Sequence, residues 1–203
     1  MAPLVVGFDL DLTLVDPRPG VRAAFDALIA ETGAPIDVDT VLGRLGPLLE
    51  IELASWVPAD RVDDLAARYR AFYREVGVPG TELLPGARDA IAAVHARGGH
   101  TLVVTAKEDR NARACIEHVG IDVDVVLGLR YGDGKVDALR EYAATIYVGD
   151  TTTDIESGRA AGCTTVGVAS GPHSQAQLKS AGADIVLDSL RDFPAWLETA
   201  PSR

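Results

Sequence analysis

Apolar and polar positions along this chain follow two rhythms. From about residue 82 onward, short apolar runs at 101–105, 124–127, 145–148, 164–168 and 184–187 alternate with amphipathic stretches. In those stretches apolar residues recur at helical spacing, as at Ala87, Ala90, Ile91 and Val94 before Gly98-Gly99, and at Ala112, Cys115, Ile116 and Val119 before Gly120. Val-rich runs separated by helices predict βαβ units and a parallel sheet covered on both faces. The run at 4–8 predicts a first strand of the same sheet. Residues from about 17 to 80 read as wholly helical instead. Val21, Phe25, Leu28, Ile29 and Thr32 form one face that ends at Gly33. Val62, Leu65, Ala66, Tyr69, Phe72, Tyr73 and Val76 form another. The stretch 77–85, with Pro79, Gly80 and Pro85, suits a hinge. The predicted fold class is therefore α/β: a Rossmann-like parallel sheet core, residues 1–16 and 81–203, with an all-helical cap, residues 17–80, inserted after the first strand. Residues 201–203 are expected to fray.

Composition narrows the function more than the fold. A length of 203 residues with 47% hydrophobic content can bury a proper core. The net charge of −11 argues against a nucleic-acid or anionic-membrane partner, which needs a basic surface. No apolar stretch approaches the ~20 residues of a membrane span. No basic residue precedes Arg18, so a cleaved signal is not expected. Cys115 and Cys163 are the only cysteines and have no CxxC spacing, which suits core packing in a reducing, cytoplasmic setting. Whether the chain is a monomer or a homodimer stays open.

The chemistry sits where the runs end. The first delivers Asp9-Leu10-Asp11-Leu12-Thr13, two carboxylates at the end of a buried strand, which cost stability unless something compensates them. In open parallel sheets ligands bind beyond the carboxyl ends of the strands. After the second run come Thr105, Ala106 and Lys107; after the fourth come Asp150 and Asp154; and Lys135 follows a Gly132-Asp133-Gly134 turn. Four acids, a hydroxyl and a lysine on one edge suit phosphoryl transfer. Asp9 is a candidate nucleophile and Asp11 a candidate general acid and base. Asp9, the Asp11 carbonyl and Asp150 offer Mg²⁺ the hard oxygens it prefers. Thr105 and Lys135 would bind phosphoryl oxygens, and Asp154 would reach metal-bound water or orient Lys135. Blander readings stand beside these. Asp150 or Asp154 can cap the next helix, Thr105 can be an ordinary strand-end threonine, and Lys107 reads as a rim residue or salt-bridge partner. The four histidines share no metal-ligand spacing.

Taken together, Asp9 to Asp16, Thr105, Lys135 and the Gly149-Asp150-Thr-Thr-Thr-Asp154 stretch resemble the haloacid dehalogenase superfamily. The resemblance is to its phosphatases with a helical cap after the first strand, similar to phosphoglycolate phosphatases. It implies a Mg²⁺-dependent hydrolase of a small phosphorylated metabolite, a phosphoglycolate-like phosphomonoester, working through an aspartyl-phosphate. It makes Asp9 the nucleophile and Asp11 the acid/base, with Thr105 and Lys135 as phosphate ligands. Asp9, Asp11 and Asp150 would then bind Mg²⁺, supported by Asp154. Three features depart from the family pattern. Ala106 stands where Asn is common, leaving only a backbone N–H; Val136 replaces the usual proline after the lysine; and the link from Lys135 to Asp150 is short. Arg44, in the loop Gly43-Arg44-Leu45-Gly46-Pro47, either meets a second anionic group of the substrate or is simply solvated. The alternatives are a phosphomutase of the β-phosphoglucomutase type and a phospho-accepting or non-catalytic binding protein on the same fold. A nicotinamide dehydrogenase is excluded, because no G-x-G-x-x-G follows the first strand.

Overall fold

A computed structural model describes residues 3–200; the expected fraying of 201–203 lies outside them. Six strands form one sheet in which every pairing is parallel. They are β1 (Val5–Phe8), β4 (His100–Val104), β5 (Val125–Leu127), β6 (Ile146–Gly149), β7 (Thr164–Val168) and β8 (Ile185–Leu187), in the order β5-β4-β1-β6-β7-β8. The central strand β1 is buried on both faces. Val6 and Phe8 join the core formed with α5 (Ala87–Ala96), α6 (Asp109–Val119) and the C-terminal helix Phe193–Thr199. Val5 faces the opposite core, built with Leu139 of α7 (Asp133–Glu141), Ala161 of α8 (Thr152–Ala161) and Tyr147. A strand covered on both sides has no polar face, which is why 4–8 reads as a continuous apolar run.

Strand β5 begins one residue later than its apolar run. Asp124 stands outside it and accepts from the Thr101 backbone N–H at 2.7 Å and the Thr101 hydroxyl at 2.8 Å. Burial alone would raise the Asp124 carboxyl, but the bonds from Thr101 and His95 outweigh it and hold its pKa at about 2. A depressed carboxyl contributes stability above its unfolded value, near 4, and that contribution disappears as the pH falls toward 2. Because Asp124 is 39% exposed, the effect is modest. Asp124→Asn should melt about 2 °C lower at pH 7, a gap that closes in thermal scans run toward pH 2.

The stretch between β2 (Val15–Asp16) and β3 (Glu82–Leu83) is helical. Its helices are α1 (Arg18–Thr32), α2 (Val38–Leu42), α3 (Leu49–Leu53) and α4 (Ala59–Phe72). They bury their own cluster, centred on Phe25, Leu28, Leu53, Leu65 and Tyr69, with Cys115 of α6 joining it from the sheet side. Helix α1 stops at Gly33, whose φ of 65° puts it in the left-handed conformation that ends helices. Helix α4 continues into a π turn, Tyr73–Gly77, a break that the i, i+3, i+4 pattern does not reveal. That turn meets α1 backbone to backbone: a Cβ on Gly20 would lie 2.0 Å from the Gly77 carbonyl oxygen. Strands β2 and β3 pair antiparallel, Val15 opposite Leu83, so the chain enters and leaves the helical stretch through one ribbon. Among the described residues no helix is long and apolar enough to cross a membrane.

Candidate active site

The chain reverses sharply after β1. Asp9 still donates its backbone N–H to Val148 at 2.8 Å, and then the amides of Leu14 and Val15 both return to the Leu10 carbonyl. Leu12, at the apex, takes a positive φ of 61°, which costs a non-glycine residue about 1 kcal/mol. The Ser170 hydroxyl, on the loop after β7, donates to the Leu12 carbonyl at 2.6 Å and fixes the reversal. The result brings Asp9, Asp11 and Thr13 to the carboxyl edge of the sheet together.

Asp9 is buried and accepts from Lys135 Nζ at 2.8 Å. The same ammonium donates to Asp154 Oδ1 at 2.5 Å. The sequence reads Gly132-Asp133-Gly134 as a turn, but the structure uses Asp133 and Gly134 as the first turn of α7, with Gly132 as the residue before it. Lys135 thus becomes an inward-facing helical position. Asp154 divides its oxygens. Oδ1 takes Lys135, with the Tyr147 hydroxyl 3.2 Å away, while Oδ2 accepts from the backbone and hydroxyl of Thr151 and closes the capping box that starts α8. Capping and charge placement, set against each other in the sequence, are here done by one side chain.

Asp150 is 1% exposed and accepts from the Thr13 hydroxyl at 2.9 Å. The loop after β7 closes over it so tightly that a Cβ on Gly171 would lie 1.8 Å from its Oδ2. Three carboxylates, of Asp9, Asp150 and Asp154, each place an oxygen within 4.8 Å of the other two, with Lys135 the ammonium set against them. The electrostatics register the crowding. Burial, then the charges of Asp154 and Asp9, push the Asp150 carboxyl well above its usual range. Burial likewise raises Asp9 to about 7 despite Lys135. Burial works against the Lys135 charge, but Asp154 and Asp9 outweigh it and drive its pKa up. Buried hard oxygens with more negative than positive charge are what a small divalent cation requires. The donor set therefore fits Mg²⁺.

Asp11 points elsewhere. Its Oδ2 pairs with Lys107 Nζ at 3.1 Å, while Oδ1 is buried with no partner in the protein. Lys107 does form a salt bridge, but it is not a rim residue. Its side chain is 9% exposed, and its ammonium lies 4.1 Å from the centre of the Tyr73 ring. It passes inward because Tyr73, on the π turn, supplies a face for the cation. Thr105 is buried, and its hydroxyl oxygen accepts from the Lys107 backbone N–H at 3.2 Å. Thr105, Ala106, Asp9 and Asp11 form one side of a cleft whose other side comes from the helical stretch. The cleft holds about 760 Å³ of space, part of it open to solvent. Arg44 lines it but is clasped by Glu52, with bonds of 2.9 Å from Nε and 2.7 Å from Nη2. Arg44 is thus paired with an acid while its side chain stays 46% exposed.

Thr13 and Tyr147 join the site beyond the residues that the sequence predicts for it. Thr13 stood in the Asp-x-Asp-x-Thr pattern, where its hydroxyl was a visible signal. Tyr147 lies inside an apolar run and gave none.

A parallel sheet with a helical insertion and acids at its carboxyl edge defines a class of hydrolase, and sequence comparison places the chain in it. A family model described as haloacid dehalogenase-like hydrolase matches residues 4–162, and the chain belongs to that family. Its relatives include a phosphoglycolate phosphatase of Rhodospirillum rubrum, 33% identical over 96% of this chain and 91% of the relative. Another is a Dickeya dadantii protein named "probable phosphatase IndB", 31% identical over 95% and 92%. Among solved structures, a haloacid dehalogenase-like hydrolase from Streptococcus pneumoniae superimposes with a TM-score of 0.82 at 25% identity, covering 96% of this chain and 98% of its own. Family and relatives together make this chain a phosphatase-type hydrolase.

Proposed function

We propose that the chain is a Mg²⁺-dependent phosphatase that hydrolyses a small phosphorylated metabolite through a phosphorylated Asp9. The observation that carries this reading is the meeting of Asp9, Asp150, Asp154 and Lys135 under a cleft that Asp11 also lines. Asp9 and Asp150 would hold the ion, helped by the Asp11 carbonyl, because both oxygens of Asp154 are already committed. When bound, Mg²⁺ offsets the repulsion between an anionic nucleophile and an anionic phosphate.

The remaining steps belong to the chain. A carboxylate oxygen of Asp9 attacks phosphorus, forming an O–P bond as the ester O–P bond breaks. Asp11 gives a proton to the departing alkoxide, and its Oδ1, which has no partner in the protein, is free to carry it. Water then attacks the phosphorus of the phosphorylated Asp9 and passes a proton to Asp11. Inorganic phosphate leaves and the Asp9 carboxylate is restored. Lys135 and the Thr105 hydroxyl stabilise phosphoryl oxygens as charge moves, and the Ala106 N–H adds a backbone donor. Residues 17–80 act as a cap over the cleft, closing out water. A cytoplasmic location fits this chemistry, with no nucleic-acid or membrane partner.

Phosphate release from a panel of small phosphoesters tests the reading. Release should require Mg²⁺ and fall by at least a hundredfold in EDTA. Full activity in EDTA, or none with Mg²⁺ in a folded protein, would remove it.

A further inference from the structure

The cleft carries a second message, in what it leaves unpaired. Opposite Asp9 and Asp11 it is lined by Val21, Phe25, Val41, Leu45, Leu49 and Tyr69. Three cationic side chains also line it, and each is held by a carboxylate. Arg44 is gripped by Glu52, which the Trp56 indole N–H bonds as well at 2.7 Å. Arg70 donates to Glu50 at 2.6 Å, and Lys107 pairs with Asp11 at 3.1 Å. Two side-chain polar atoms lining the cleft are buried without partners, Asp11 Oδ1 and Asn111 Oδ1, and both are acceptors. A carboxylate or second phosphate on the substrate is itself acceptor-only. Among the described cleft residues it meets no cationic side chain without a carboxylate partner. It does meet the acids Glu52 and Glu108.

Resting on the phosphatase reading, we infer that the alcohol released is uncharged and largely apolar, aromatic or branched aliphatic, and not an anion of the glycolate kind. An apolar body fills the side-chain wall of the cleft and leaves the three ion pairs in place. Arg44 and Arg70 keep N–H donors that Glu52 and Glu50 do not use, but their charge is already balanced by those acids. A glycolate carboxylate placed there gains little net attraction and also faces Glu52 and Glu108.

Two pairs of compounds test this. Benzyl phosphate and phosphoglycolate are alkyl esters, so their comparison is not governed by an activated phenol leaving group. With Mg²⁺, kcat/KM for benzyl phosphate should exceed that for phosphoglycolate at least tenfold. Their non-hydrolysable counterparts, 2-phenylethylphosphonate and 3-phosphonopropionate, report the cleft alone by calorimetry, and the first should bind at least tenfold tighter. Equal or tighter binding of 3-phosphonopropionate overturns the inference whatever the turnover. Preferential binding of the phenylethyl compound with no turnover of any ester upholds the cleft's preference and removes the phosphatase reading instead.

Discussion

Asp9→Asn is expected to release phosphate at about a thousandth of the wild-type rate or less, while folding normally. The amide keeps the shape of the side chain and an oxygen that can accept from Lys135. It loses the negative charge that makes Asp9 a nucleophile. Stability should move the other way. Burial raises the Asp9 carboxyl to about 7, so holding it ionised in the metal-free protein costs folding free energy. With the folded value above the unfolded one, that cost starts near pH 4 and grows until the pH passes about 7. In metal-free thermal scans Asp9→Asn should therefore melt at or above the wild type at pH 7 and show no gain at pH 4. An active site that is stabilised when its nucleophile is removed trades stability for activity. Turnover within threefold of wild type would show that the nucleophile lies elsewhere.

Lys135→Met should lose both activity and stability. The ammonium is the shared partner of Asp9 and Asp154, and removing one side of a buried pair costs about 3–5 kcal/mol. For a chain of this size that corresponds to a fall in Tm of about 6–20 °C without metal. Mg²⁺ should recover part of it, because a ligand that binds only the folded state raises Tm by mass action. Phosphate release should drop by about a hundredfold or more even when the protein is kept folded at low temperature. Differential scanning fluorimetry with and without Mg²⁺, paired with turnover at 10 °C, separates the two losses. Unchanged turnover would remove Lys135 from the phosphate site.

Much of this was legible in the residues, for identifiable reasons. The parallel sheet showed through because a strand buried on both faces leaves no polar position to blur its run, as in 4–8 and 145–148. The helix ends at Gly33 and Gly120 showed because few other residues take positive φ cheaply. Asp9, Asp150 and Asp154 could be placed together because each follows a strand whose end can be counted. Three things depended on packing and could not be counted. The inward path of Lys107 depends on the Tyr73 ring, which reaches it through a π turn invisible to a periodic pattern. The commitment of Arg44 to Glu52 joins positions eight residues apart across an irregular loop. The seat of Asp150 depends on Gly171, on the far side of the next strand.

The ribbon of β2 and β3 has a consequence for how such chains can change. Because Val15 stands opposite Leu83, the two ends of everything between them are neighbours in space. A segment whose ends already touch can grow, shrink or be exchanged without moving the strands that carry Asp9, Asp150 and Asp154. The wall that selects the leaving group is thus mechanically separable from the machinery that handles the phosphate. Grafting a different helical segment between residues 16 and 82, with an aromatic ring kept where Tyr73 faces Lys107, is the shortest route to a new specificity on the same chemical engine.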